Sequence, residues 1–255
     1  MFEVPMGPRT LAAALRDVRS DAEMTRIEAV CELARFECSL EVESALLSAT
    51  CDDSVRVRES ALQSLVALGS GKAPDVARHA LLSPHAPLRF QALIALAETR
   101  DDDAFVRCMA ALSDSDAEVR YIALRLLDDE SLALAPAAHA RSSAAVLRSE
   151  WLRLLGDAAG RVRLAAAIPL ARSEGEGVWS DVLRDLVLTA RVCGEVVPEE
   201  DAAEAMRLLV NCGNDADIAR VRRCAFGLQT MLSGRSVRRA ARAALQGMQL
   251  PPTSK

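Results

Sequence analysis

Residues 51–69, CDDSVRVRESALQSLVALG, contain an amphipathic helix whose pattern returns along the chain. Val57, Ala61 and Leu65 fall on one face at helical spacing, so this face should be buried. The frame Arg-x-x-Ala-(Leu/Val)-x-x-Leu starts at four places: Arg26, Arg58, Arg89 and Arg120. The intervals between successive frames are 32, 31 and 31 residues. A period of this length predicts an array of helical hairpins.

The composition supports a helical array. Apolar residues make up 51% of the chain and aromatic residues only 3%, so the core must consist mainly of Leu, Ala and Val. Alternating strand patterns are hard to find. We therefore predict an all-α fold, a right-handed α-solenoid (superhelix) of about six to seven helical hairpins. It would form a single domain over 1–255, with regular repeats over 1–129, degenerate repeats and a C-terminal cap over 130–248, and a loose tail over 249–255.

Beyond residue 129 the register of the repeats is open. A frame that begins at Arg148 keeps nearly the same interval but places Trp151 where a small residue is expected. A frame that begins at Arg163 fits better by residue type, but it contains Pro169, which would kink a helix. The sequence does not decide which frame is the inner helix of its hairpin.

Targeting signals and cysteines point to a reducing compartment. The N-terminal sequence lacks the features of a signal peptide and no stretch could span a membrane, so we expect a cytoplasmic protein without a membrane partner. The seven cysteines are irregularly spaced and do not indicate a disulfide framework. Cys31, Cys38 and Cys51 lie too far apart for the usual zinc spacing, and we expect them to be buried. The sequence predicts no metal site, no cofactor and no catalytic residues.

The frame Asp-x-x-Val-Arg-x-x-Ala-x-x-Leu resembles HEAT repeats, especially the short bacterial kind that also occurs in phycobilin lyases. The resemblance is close over residues 21–129 and weak over the rest of the chain. It implies that the inner helices line a concave side and that aspartates and arginines form a ladder between neighbouring units. The implied ladder pairs are Asp21 with Arg26, Asp53 with Arg58, and Asp116 with Arg120. The ladder should be interrupted in the third unit, because SPHAP at 83–87 precedes Arg89 without an aspartate.

The side of each inner helix that lies opposite the apolar face predicts a partner-binding surface. On the helix of residues 51–69 this side carries Glu59 and Gln63. A shift by the repeat interval adds Phe90, Ile94, Tyr121 and Arg125. Aromatic side chains beside an arginine are typical of interface hot spots. The alternative, which the sequence leaves open, is that curvature presses these side chains against the neighbouring inner helix and makes them core.

Basic residues are concentrated near the C-terminus. No acidic residue follows Asp217, whereas seven arginines do: Arg220, Arg222, Arg223, Arg235, Arg238, Arg239 and Arg242. They could form a patch for an anionic partner such as a phosphate backbone. Alternatively, they pair with acids of the preceding hairpins or cap helix C-termini.

These features favour a non-catalytic interaction scaffold or adaptor that binds a partner protein or peptide on a concave surface. One alternative is nucleic-acid binding through the arginine-rich C-terminal helices, which would weaken steeply with salt. The resemblance adds a second alternative, a lyase-like enzyme of the phycobilin-lyase type. The sequence does not indicate the identity of the partner or the oligomeric state.

Overall fold

The structure, a computed structural model, describes residues 9–129, 140–173, 177, 179–189, 199–212, 214–226 and 235–247. This part of the chain contains fourteen α-helices and no strand, which confirms the all-α prediction. The first eight helices are α1 (Leu11–Asp17), α2 (Glu23–Leu33), α3 (Leu40–Ala49), α4 (Val55–Ala67), α5 (Ala73–Ala80), α6 (Ala86–Glu98), α7 (Ala104–Ala111) and α8 (Ala117–Asp128). The other six are α9 (Ala140–Leu154), α10 (Gly160–Ser173), α11 (Ser180–Thr189), α12 (Glu199–Cys212), α13 (Asp215–Phe226) and α14 (Arg235–Gly247).

Local capping explains where many of these helices begin. The side chains of Thr10, Ser39, Ser54 and Asp116 accept backbone N–H groups at the starts of α1, α3, α4 and α8. Proline in the first turn begins α5 and α6, where the N–H that proline lacks would have no helical partner. Gly69 follows α4 in the left-handed region, with φ of 70°, and turns the chain toward α5.

The helices pair into hairpins within two compact units, Met1–Leu134 and Ala135–Lys255. The first unit contains the hairpins α1/α2, α3/α4, α5/α6 and α7/α8, and the second contains α9/α10, α11/α12 and α13/α14. The described residues therefore provide seven helix pairs, within the predicted number. The single domain over 1–255 stays a prediction.

In the first unit the second helices of the hairpins form one closely packed layer. Helix α2 packs on α4, α4 on α6, and α6 on α8, whereas α3, α5 and α7 lie farther from one another. On α4 the buried positions Val57, Ala61 and Leu65 have no exposed surface, as the sequence predicts for its apolar face. A layer that packs more closely than its counterpart is the inner layer of a repeat array.

In the second unit α10 is an inner helix. It packs on α9, α11 and α12, and all but four of its fourteen residues are buried. Helix α12 in turn packs on α10 and α14. The frame that begins at Arg163 is therefore the inner one, and Pro169 lies within its helix, whereas Arg148 belongs to the outer helix α9.

Within the described ranges no helix combines the length and the apolar character that crossing a membrane requires. The predicted tail over 249–255 lies outside the described residues.

Candidate functional site

Each inner-helix arginine of the first unit folds back onto the loop that precedes its own helix. The guanidinium of Arg58 donates from Nη1 to the carbonyl oxygen of Asp52 at 3.0 Å. The equivalent bonds, each to the carbonyl six residues earlier, join Arg26 to Ser20, Arg89 to Ser83 and Arg120 to Asp114. These bonds satisfy carbonyl groups that the turn between two helices would otherwise leave unpaired.

Two of these arginines also bind a carboxylate of the next hairpin. Arg26 donates from Nε and Nη2 to the two oxygens of Asp52, at 2.8 and 3.0 Å. Arg89 binds Asp114 with the same two nitrogens, at 2.8 and 2.6 Å. Each carboxylate also accepts the backbone N–H two residues later, and only 14% of each aspartate side chain is exposed. The ladder therefore consists of bidentate pairs between adjacent hairpins.

The arginines hold both carboxylates in the ionised form. Burial alone would raise the pKa of Asp114, but the hydrogen bonds from Arg89 and from the N–H of Asp116, with the charge of Arg89, lower it overall. The pKa of Asp52 is lowered in the same way, because Arg26 and the N–H of Ser54 outweigh the effect of burial. Both carboxylates are therefore charged partners of their arginines at neutral pH.

The predicted aspartates of the ladder are wrong by one or two positions. Asp53 is exposed, and Asp116 caps α8 with its side chain. Asp21 contributes its backbone carbonyl to Arg26, not its carboxylate. The acceptors lie two residues before the capping position, because a bond to the N–H of the capping residue turns that side chain toward the previous hairpin. A residue at the capping position points along its own helix instead.

The ladder is interrupted between the second and third hairpins, as the sequence predicts. Ser83 occupies the position equivalent to Asp52 and Asp114, and its hydroxyl keeps the turn bond to the N–H of His85 at 3.2 Å. A serine side chain is too short and has no charge to bind an arginine across the junction. Within the described part of the chain Arg58 makes no ion pair, and its Nε is buried without a hydrogen-bond partner.

A cavity of about 690 Å³ lies at this interruption. Arg58 and Ser83 line it, together with apolar side chains that include Leu62, Val76 and Leu88. This cavity is not predicted from the sequence. The sequence feature that indicates it is the absence of an aspartate before Arg89. Without this aspartate, the junction lacks both the volume and the charge of a carboxylate side chain.

The predicted partner-binding residues lie at equivalent positions on α4, α6 and α8. Gln63 is exposed, whereas the other five are partly buried: Glu59, Phe90, Ile94, Tyr121 and Arg125. Burial raises the pKa of Glu59 although Arg56 and Arg58 act in the opposite direction. The stripe defined by these six residues is therefore most open on the second hairpin and less open on the third and fourth.

The predicted anionic-partner patch divides into two groups. Arg220 donates to the buried carboxylate of Asp217 at 2.7 Å, so it has an internal partner. Arg242 lies over the ring of Phe226, 5.6 Å from its centre. Arg242 lines a cavity of about 490 Å³ with Arg238 and Arg239, while Arg222 and Arg223 are exposed. The side chain of Arg235 lies outside the described residues.

The expectation that Cys31, Cys38 and Cys51 are buried is wrong, since all three are exposed. Cys31 lies within α2, Cys38 between α2 and α3, and Cys51 in the turn before α4. Cys108, by contrast, is buried, and burial raises its pKa to about 12. In the described ranges no three potential metal ligands form a group.

A family model described as HEAT repeats matches residues 8–97. Over these residues the chain is similar to HEAT repeats. The match ends before α7, but the Arg120 side chain forms the same turn bond as the HEAT-repeat arginines before it. Arg163 of α10 also donates to a carbonyl six residues earlier, that of Asp157. No curated protein matches the chain by sequence.

Two solved structures have a similar helical-repeat fold. The complex of CpcE and CpcF of phycocyanin lyase from Nostoc sp. is 17% identical, with 98% of this chain and 92% of that chain covered and a TM-score of 0.52. The YibA protein of Escherichia coli is 14% identical, with 94% and 81% covered and a TM-score of 0.57. At these identities the similarity shows the fold alone, an α-helical solenoid.

Proposed function

We propose that the protein is a non-catalytic scaffold that binds a partner protein or peptide on the stripe of α4, α6 and α8. The observation that carries this proposal is the close packing of these helices as one layer, which aligns their equivalent positions. Successive repeats then offer side chains at regular spacing to an extended partner. The proposed compartment is the cytoplasm.

The chemistry of the stripe suits a partner with both apolar and polar groups. Phe90 and Ile94 on α6 and Tyr121 on α8 provide apolar area, and the partial exposure of each leaves room for contact. Arg125 provides a charge on the same side of α8. Tyrosine and arginine are enriched in the central residues of protein interfaces. We expect a partner segment to contact this end most strongly.

Glu59 and Gln63 would make the α4 end of the stripe polar. The exposed amide of Gln63 can donate and accept hydrogen bonds. The carboxyl group of Glu59 is partly buried without any partner, and this burial raises its pKa. A basic or hydrogen-bond-donating partner group is therefore expected at this end.

The double substitution Phe90→Ala with Tyr121→Ala tests the stripe. The expected result is the loss of proteins that co-purify with the wild type, with a melting temperature that falls by only a few degrees. Val106→Ala is a matched control, because Val106 is 62% exposed on the outer helix α7. Retained partners together with a large fall in melting temperature would show that the pair is core and would contradict the proposal.

A second candidate function is the binding of nucleic acid by the C-terminal arginines. The observation that favours it is the cavity lined by Arg238, Arg239 and Arg242. Fluorescence anisotropy with a labelled single-stranded oligonucleotide would measure the binding affinity. The titration is repeated at salt concentrations from about 50 to about 200 mM. Arg239→Gln should weaken binding and reduce its salt dependence, whereas affinity that is independent of salt would exclude this function.

A lyase-like activity is the remaining alternative, and it rests on the family resemblance alone. The similarity to a phycocyanin lyase complex is at 17% identity and concerns the fold. A bilin that binds the purified protein, seen as a change in its visible absorption spectrum, would favour this alternative over the scaffold.

A further inference from the structure

Arg58 occupies the position of a ladder arginine, but no carboxylate of the described residues binds it. Its Nη1 bonds to the carbonyl of Asp52, as the Nη1 of Arg26 and of Arg89 bond to the corresponding carbonyls. The Nε of Arg58 is buried and has no partner among the described residues. A buried N–H group of a cation without an acceptor is unfavourable, so an acceptor from outside the chain would be held strongly.

The neighbouring junctions show which group satisfies an arginine in this position. Asp52 on Arg26 and Asp114 on Arg89 both bind through Nε and Nη2, at distances between 2.6 and 3.0 Å. In both cases the Nη1 group remains on the carbonyl of the loop. The same protein therefore twice demonstrates a bidentate carboxylate on the Nε and Nη2 of a ladder arginine.

Space exists for such a group. Arg58 and Ser83, which stands where an aspartate would reach across the junction, both line the cavity of about 690 Å³. This volume falls within the range of small-molecule sites. Leu62, Val76 and Leu88 form an apolar part of the cavity lining. Leu82 also lines the cavity and is 79% exposed. A ligand with one charged end and an apolar body matches this lining.

Asp75 also lines the cavity and could in principle satisfy Arg58 from within the chain. Its side chain is 75% exposed and pairs with Arg78 at 2.7 Å. It belongs to the neighbouring ion-pair group of Arg78 and Asp101, so it does not replace the missing acceptor.

We propose that this cavity binds a carboxylate joined to a compact apolar body. The carboxylate occupies the place of the aspartate that the third hairpin lacks and accepts hydrogen bonds from Nε and Nη2 of Arg58. The apolar body packs on Leu62 and Leu88. The site is separate from the stripe on α4, α6 and α8 and does not depend on its function.

Nuclear magnetic resonance can test the site through the Nε–H signal of Arg58. Sodium hexanoate is the probe, and hexanamide is its neutral counterpart of similar shape. Hexanoate should shift this signal and bind about tenfold or more tightly than hexanamide, because a charge-assisted bidentate bond is lost with the amide. Equal affinities of the two compounds, or tighter binding of inorganic phosphate, would overturn the proposal.

Two variants locate the binding. Ser83→Asp places a carboxylate beside Arg58 from within the chain and should abolish hexanoate binding while it raises the melting temperature. Arg58→Gln should abolish hexanoate binding in a protein that remains folded by circular dichroism. Phe90→Ala with Tyr121→Ala should leave hexanoate binding unchanged. Binding that persists in the Ser83→Asp variant would overturn the assignment.

A peptide arm distinguishes two sources of the carboxylate. Acetyl-leucyl-aspartyl-leucinamide and its asparagine analogue are titrated in the same way. Tighter binding of the aspartyl peptide than of hexanoate identifies an acidic side chain of a partner chain as the source, and the reverse order identifies a free organic acid. The absence of binding by both carboxylates would overturn the proposal.

Discussion

The junction between the second and third hairpins and the junction between the third and fourth are built alike but differ in one side chain. At both, one inner helix packs on the next, α4 on α6 and α6 on α8. At the later junction Asp114 closes the ladder onto Arg89, whereas at the earlier one, with Ser83 in that position, Arg58 binds no carboxylate of the described residues. The inner helices therefore stack with or without the ion pair, and the position of the ladder carboxylate can be given up without loss of the fold.

Removal of the ladder carboxylate at the closed junction should have the largest effect. Asp114→Ala should lower the free energy of unfolding by about 2 kcal/mol in urea denaturation, because Arg89 is left partly buried without its partner. The value is below that of a fully buried pair, since both side chains retain contact with water.

Ser83→Ala is the matched control at the open junction. It removes the turn bond to His85 but no ion pair, so we expect a loss below about 1 kcal/mol. Equal losses in the two variants would show that the junctions do not differ in energy.

The stability of the two junctions should also depend differently on pH. The pKa of Asp114 is lowered in the folded protein from its ordinary value of 3.8, so the unfolded state takes up a proton first as the pH falls. The stability that this carboxylate contributes is complete above the unfolded value and is lost as the pH falls through the folded one.

The free-energy difference between wild type and Asp114→Asn should therefore be constant near neutral pH and decline below about pH 4. Denaturation by urea over this pH range measures it. The difference between wild type and Ser83→Asn should not change, because serine does not titrate. A difference for Asp114→Asn that grows toward acid pH would contradict the assigned ion pair.

The smallest effect is expected at Arg58 itself. Arg58→Gln should change the free energy of unfolding by less than about 1 kcal/mol, because it removes one hydrogen bond and an unsatisfied buried N–H. Arg89→Gln, the matched change at the closed junction, should lower it by about 2 kcal/mol. Similar losses at both arginines would mean that Arg58 has a partner of comparable strength.

The repeat architecture could be predicted because it depends on spacing and apolar period alone. The interval of 31 or 32 residues and the buried face of α4 at Val57, Ala61 and Leu65 are visible in the sequence. The interruption at Ser83 was visible for the same reason, since it is the absence of an acidic residue at a fixed position.

The partners within the ladder could not be predicted, because they depend on the direction of side chains in a turn. At each junction the sequence offers two equivalent candidates for the acceptor: Asp52 or Asp53 at one, and Asp114 or Asp116 at the other. The choice follows from which aspartate accepts the N–H of the capping residue, a detail of backbone conformation. The cavity at Arg58 likewise exists only when two hairpins are stacked.

A double-mutant cycle tests whether Arg58 lacks, among the described residues, the carboxylate that Arg26 and Arg89 each bind. Ser83→Asp, Arg58→Gln and the double variant are compared with wild type in urea denaturation. We predict that Ser83→Asp raises the free energy of unfolding and that its coupling to Arg58 is about 1 kcal/mol or more, as for contacting charged residues. A coupling near zero would contradict the claim, because the new carboxylate would then have no partner at this junction.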